Sequence, residues 1–222
     1  MDEDADHSDH SDHSDHSNAG DRAEDWDRRY TDGGHKLWSG EPNGALVAGI
    51  AHLSPGTALD VGCGEGADPI WLARHGWAVT AVDISSVAID RGREAGDAVG
   101  ASVHWVCADV PSEPLPPGPF DLVSVMYPAF RHTPDDDASR AILSAVAPGG
   151  TLLFVHHSFD GQHGHRPSAG FDPADYVRPA DVEHHLRDGW TVEVNGERDR
   201  IRPAGSPGPD VPDVVLRARR SD

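Results

Sequence analysis

Three glycines, Gly62, Gly64 and Gly66, separate two short apolar runs in ALDVGCGEGADPIWLARHGWAVTAVDIS, and Asp83 closes the second run. Glycine at a strand end permits a sharp turn and close approach of a ligand to the backbone, while the following helix N-terminus offers unpaired N–H groups. A carboxylate at the end of the next strand can accept hydrogen bonds from both hydroxyls of a ribose. The spacing therefore calls for a nucleoside-containing ligand. Gly62, Gly64 and Ala67 also satisfy the relaxed G-x-G-x-x-[GA] pattern of dinucleotide folds. Asp60 precedes the turn, however, and Glu65 lies inside it. Two carboxylates repel pyrophosphate and suit a ligand with an ammonium or sulfonium charge.

The flanking pattern alternates strand and helix. TALDVG, WAVTAVD, SVHWVCAD, FDLVSVMY and TLLFVHH read as strands, separated by helices through DPIWLARHG, SSVAIDRGREAGDAVG and DDDASRAILSAVAPGG. Such alternation predicts a mostly parallel sheet with right-handed crossovers. The ending differs. A helix at ADVEHHLRDG precedes strands WTVEVNGE and PDVVLRARR, and the segment between those strands is rich in Pro and Gly without helical periodicity. Two strands joined by a loop should pair antiparallel. Upstream, a short helix is expected through Tyr30, broken by Gly33 and Gly34, and another from about Asn43 to His52.

Composition narrows the function classes. The 222 residues include 38 acidic and 18 basic side chains, a formal net charge of −20, which opposes the phosphate neutralisation that nucleic-acid binding needs. No apolar run is long enough to span a membrane, and the Asp- and His-rich start does not resemble a signal peptide. Cys63 and Cys107 form no CxxC pair, so a reduced, cytoplasmic protein without structural zinc is expected. Residues 1–20, with His7, His10, His13 and His16 in an HSD repeat, read as a disordered acidic tail, weak metal binding being the other reading. Residues 21–222 then form the single folded domain, opened by helices over 21–52.

The chain resembles class I S-adenosylmethionine-dependent methyltransferases, and among them the small thiopurine and tellurite-resistance type. The matching pieces are the glycine segment, CADV at 107–110, FDLVSVMY at 120–127, LSAVAPGGTLLFV at 143–155, and WDRRY and WSGEPNGALV near the N-terminus. The resemblance implies a three-layer Rossmann-like fold, its seven-stranded, mostly parallel sheet carrying an antiparallel last strand. It implies S-adenosyl-L-methionine as cofactor. Asp60, Gly62, Gly64 and Gly66 would lie near the methionine moiety, and Asp83 would bind the ribose with Ile84 on the adenine. Asp109, flanked by Ala108 and Val110, would accept from the adenine amino group. Met126 would face the sulfonium, and Trp38 would cover the cofactor or pack on the sheet edge.

A sulfonium methyl group needs an aligned nucleophile and exclusion of water, with a general base only for acceptors not already nucleophilic. MYPAFRHTPDD offers Tyr127, Arg131 and His132 on the acceptor side, with His132 as base and Arg131 as anchor for an anion; a helix cap is the other reading of His132. The histidines at 156, 157, 163 and 165 match no sharp metal spacing. The expectation is methyl transfer to a small molecule by a monomer without nucleic-acid or membrane partners. An NAD-dependent oxidoreductase and a non-enzymatic cofactor- or metal-binding protein are the alternatives.

Overall fold

A computed structural model describes residues 19–34, 40–158, 172–202 and 211–222. Two helices, α1 (Ala19–Asp32) and α2 (Gly44–Ile50), precede the alternating part. There follow β1 (Thr57–Val61), α3 (Ala67–Arg74), β2 (Ala78–Asp83), α4 (Ser86–Ala98), β3 (Val103–Cys107) and β4 (Phe120–Met126). The chain continues through α5 (Asp137–Ala145), β5 (Val146–His157), a 3₁₀ turn (Pro173–Asp175), α6 (Pro179–His184), β6 (Trp190–Arg198) and β7 (Asp213–Arg220).

The strands form one seven-stranded sheet in the order β3-β2-β1-β4-β5-β7-β6. The first five pair in parallel, whereas β7 runs antiparallel to both β5 and β6. This is the sheet of a Rossmann-like methyltransferase fold, as expected. The order reverses beside β1, where β1 pairs with β2 on one side and β4 on the other. Open α/β sheets place ligands at such a switch point, outside the carboxyl ends of the strands.

Alternation along β5 shows how the layers are filled. Leu152 and Phe154 pack with Ile142 of α5 and Val182 of α6, while Leu153 and Val155 pack with Leu46 of α2 and Leu72 of α3. Period-two geometry thus covers both faces of the central strands. Gly66 and Gly92 let α3 and α4 close over β3. A Cβ at Gly66 would run into the Trp105 ring, and one at Gly92 would lie 2.7 Å from it.

Several boundaries differ from the sequence pattern. The helix expected through APGG stops at Ala145, because Val146 is already extended with ψ 129° and Pro148 restricts the residue before it. β5 therefore starts at Val146, earlier than TLLFVHH. α2 spans only Gly44–Ile50, and α1 reaches from Ala19 to Asp32.

Candidate active site

The glycine loop is built by backbone conformation. Gly62, Gly64 and Gly66 have φ of 76°, 53° and 85°, a region open to glycine and costly for most other residues. Both Gly62 and Cys63 donate their N–H groups to the Val82 carbonyl, at 2.8 and 3.0 Å, which bends the loop across the end of β2. There Asp83, 8% exposed, accepts from Gly64 N–H at 2.8 Å and Ser85 N–H at 2.9 Å. Burial raises its pKa against those two bonds. Each carboxylate oxygen keeps acceptor capacity for a further donor. The Cys63 thiol is pushed well above its ordinary value by desolvation and by Asp83 and Asp60, so it stays a protonated turn residue.

A second pair of carboxylates lies under the loop. Asp60, at the end of β1, is 2% exposed and accepts from Ser124 Oγ at 2.5 Å. Its pKa is driven well above the carboxylate range by burial and by the charge of Asp68. Asp68, in the first turn of α3, accepts from the backbone and side-chain N–H groups of Asn43 at 2.7 and 2.6 Å. Burial raises it too. Glu65 is not the partner of Asp60 that the loop sequence suggests: it pairs with Arg91 at 2.9 Å. Buried acids that resist ionisation alone become favourable beside a cation. A nucleoside with an amino or sulfonium group therefore fits this loop, and a pyrophosphate does not.

The adenosine side is closed by α1. Asp27 accepts from Ser85 Oγ at 2.6 Å, Ser86 Oγ at 2.9 Å and Val87 N–H at 3.2 Å, which pins α1 to the N-terminus of α4. Burial pulls the Asp27 pKa upward, and these hydrogen bonds outweigh it, leaving the carboxyl below its ordinary value. Arg22 forms an ion pair with Asp109, which is 5% exposed, and donates to Ser112 Oγ at 2.9 Å. Arg91 adds a bond to the Gly34 carbonyl at 2.6 Å. Asp109 lies next to Ala108, whose N–H donates to the Asp83 carbonyl at 2.9 Å, so the ends of β2 and β3 are tied. Ala108 and Val110 are buried, and Ile84 is half-buried. An adenine amino group at Asp109 would share or replace the Arg22 guanidinium. Trp38 lies outside the described residues.

On the other side of the switch point, Met126 is buried on the α2/α3 face. Tyr127 follows with φ 52°, and its hydroxyl donates to Asp213 Oδ2 at 2.9 Å. Burial, then Asp213, pushes that hydroxyl further from ionisation. The ring stacks on His157 at 4.4 Å, and the Arg200 guanidinium lies 4.9 Å from its centre. Phe130 reaches back over the glycine loop, 3.6 Å from where a Gly62 Cβ would stand. Arg131 and His132 turn elsewhere. Arg131 lies 3.8 Å from Asp175 and over the Tyr176 ring, and His132 Nε2 is 3.7 Å from Asp181. His132 does not cap α5, which starts at Asp137 after Asp136 with φ 53°.

Asp27, Asp68, His157 and Asp213 carry much of this geometry without a local motif. Asp68 alone had a signal, an acid one turn into the helix after the glycines. Asp213 meets His157 only through the β5–β7 register. His163, His165 and the HSD repeat lie outside the described residues.

Comparison with known proteins agrees with this geometry. A methyltransferase-domain family model matches residues 58–150, from β1 through the start of β5. An uncharacterized methyltransferase of Mycobacterium tuberculosis is 37% identical over 112 residues, 50% of this chain and 55% of that protein. The chain thus spans about half the length of the curated relatives it matches first. A protein solved in work on the conversion of a disulfide bond into a thioacetal group during echinomycin biosynthesis is 27% identical, with TM-score 0.70, covering 90% of this chain and 91% of that one. TehB from Haemophilus influenzae, at 14% identity and TM-score 0.63 over 88% of this chain and 67% of its own, shares the fold. A sheet reversing beside a positive-φ glycine loop and a buried acid at the end of β2 thus accompany a methyltransferase-domain match over residues 58–150, and the chain is similar in that region to S-adenosylmethionine-dependent methyltransferases.

Proposed function

We propose that this protein transfers the methyl group of S-adenosyl-L-methionine to a small-molecule nucleophile, at a sulfur, nitrogen, oxygen or chalcogen atom. The observation that carries the proposal is the pair of buried acids, Asp60 and Asp68, beneath a positive-φ loop whose neighbour Asp83 retains acceptor capacity. When bound, the cofactor supplies an electrophilic methyl group and a neutral thioether leaving group.

The remaining work falls to the chain. Gly62, Gly64 and Gly66 bare the backbone to the amino-acid end of the cofactor. Asp60 offers negative charge there, with Asp68 behind it. Asp83 takes the ribose hydroxyls. Ile84, Ala108 and Val110 line the base, and Asp109 receives its amino group. Met126 walls the sulfonium region, and Trp38, outside the described residues, is assigned to covering the cofactor on the resemblance alone. Acceptors approach past Tyr127, with Arg131 and His132 on the rim of the same loop. The likeness to the tellurite-resistance and thiopurine type supports a small acceptor; a cytoplasmic monomer without nucleic-acid partners is proposed on composition.

Calorimetry in two buffers of different ionisation enthalpy tests the reading. S-adenosylmethionine should bind with proton release, because a cation beside Asp60 and Asp68 favours their ionised forms. Affinity should rise with pH until both acids ionise unaided. Uptake of NAD in place of S-adenosylmethionine and its demethylated product would overturn the proposal.

A further inference from the structure

One face of α1 is docked at helical spacing: Arg22, Ala23, Trp26 and Asp27 are half-buried, and Tyr30 is buried. Arg22 is the member of that stripe that reaches the adenosine side, at Asp109. We propose that Arg22 is the positioning residue for base recognition: it holds Asp109 as an ionised, acceptor-only carboxylate, so that the site takes a 6-aminopurine nucleoside and rejects a 6-oxopurine one. This rests on the methyl-transfer reading above and adds to it how the cofactor's base is chosen.

Asp109 is fixed through both its backbone and its side chain. Its N–H donates to Glu113 Oε1 at 3.0 Å, and its carbonyl accepts from Ser112 N–H at 2.8 Å and Glu113 N–H at 2.7 Å. The turn that follows β3 is locked by these bonds. The buried carboxylate gives Oδ2 to Arg22 Nη2, and the same nitrogen donates to Ser112 Oγ at 2.9 Å. Among the described residues no donor reaches Oδ1. Both Arg22 contacts come from Nη2, so Nε and Nη1 can serve other partners without disturbing them.

Charge decides what the remaining oxygen binds. An ionised carboxylate only accepts, whereas a carboxylic acid also donates. The neighbouring Cys107 thiol is raised by burial and then by Asp27, Asp83, Glu113 and Asp90, so this edge of the site is rich in negative charge. A buried carboxyl amid like charges tends toward its neutral form, and an adjacent guanidinium restores the charged one. Kept ionised, Oδ1 meets the 6-amino N–H of adenine as a ready acceptor. Against the 6-oxo group of hypoxanthine it stands acceptor to acceptor, and neither atom is paired.

Asp27 and Tyr30 fasten the same helix independently of Arg22. A change at Arg22 therefore alters the charge beside Asp109 while α1 stays docked.

The test is calorimetry on the full chain with S-adenosyl-L-homocysteine and S-inosyl-L-homocysteine, which carry an amino and an oxo group at the purine 6-position. The wild type should prefer the adenosyl probe about 100-fold. Arg22→Met should weaken the adenosyl probe about tenfold and leave the inosyl probe within about twofold, so that the preference falls to about tenfold. Arg22→Lys should keep most of the preference, because the positive charge stays. In an Asp109→Asn background, whose amide both donates and accepts, Arg22→Met should change either affinity by less than about twofold. Thermal melting confirms that each variant is folded, and Arg22→Gln replaces Arg22→Met if the latter does not fold. Equal losses of both probes, an unchanged preference, no rescue by lysine, or a full Arg22→Met effect in the Asp109→Asn background would each overturn the proposal. A wild type that binds neither S-adenosylmethionine nor S-adenosyl-L-homocysteine is seen before any variant is compared, and overturns the methyltransferase reading itself.

Discussion

Asp60 is an acid kept where the apo fold least favours its charge. Its pKa in the folded chain lies well above the ordinary value, through burial and Asp68. The folded state therefore holds the proton more tightly than the unfolded chain does. That stabilising contribution is complete below the unfolded pKa and is lost as pH rises through the folded one. Near neutrality the buried carboxyl therefore costs stability. Asp60→Asn keeps the shape and an oxygen for Ser124, so it should stabilise the apo protein at pH 7–8, by roughly 1.4 kcal/mol for each unit of the displacement, and raise its melting temperature. The same change should weaken S-adenosylmethionine binding, and differential scanning fluorimetry with and without cofactor reads both effects. Asp83→Ala acts in the opposite sense. It removes an acceptor for Gly64 N–H and Ser85 N–H and strands the ribose hydroxyls, so calorimetry should show a loss on the order of 1–3 kcal/mol in cofactor binding.

At the scale of the element, α1 is fastened through its side chains. Asp27 satisfies Ser85, Ser86 and the first-turn N–H of Val87, the role an N-cap plays from within its own helix. Asp27→Ala should cost about 1 kcal/mol, and hydrogen exchange should quicken in α1 and in the first turn of α4 while the sheet stays protected. The parallel strands and their helices were legible in the sequence because each is a local pattern: apolar runs, glycine turns, a serine cap. The antiparallel ending was legible too, from a Pro- and Gly-rich connection lacking a helix. What escaped were the bonds between distant segments. Arg22 with Asp109 and Asn43 with Asp68 join residues far apart in the chain, and nothing in either stretch announces the other. Glu65 misled for the same reason, since its partner Arg91 sits on the next helix.

The whole molecule carries 38 acidic against 18 basic side chains. Several of the acids are already buried around the glycine loop, and the surplus repels itself in the compact state. Added salt should therefore stabilise the protein. Raising sodium chloride from about 0.02 to 0.2 M shortens the screening distance from roughly 20 to 7 Å. The melting temperature should rise over that range, while affinity for a cationic ligand drawn in by the same field should fall. A melting temperature flat or falling with salt would mean that local ion pairs, and not overall repulsion, govern its response.

The insertion of β7 between β5 and β6 sets an order of assembly. Until its residues leave the ribosome, the carboxyl-half flank of the sheet is an open ladder, and β6 has nothing to pair with. A nascent chain paused before Asp213 would display the unsatisfied amides and carbonyls of β5 beside the apolar side chains Leu152, Leu153, Phe154 and Val155. Such an edge invites pairing with another copy. Closure waits for β7, so that strand must be synthesised before the ladder is sealed.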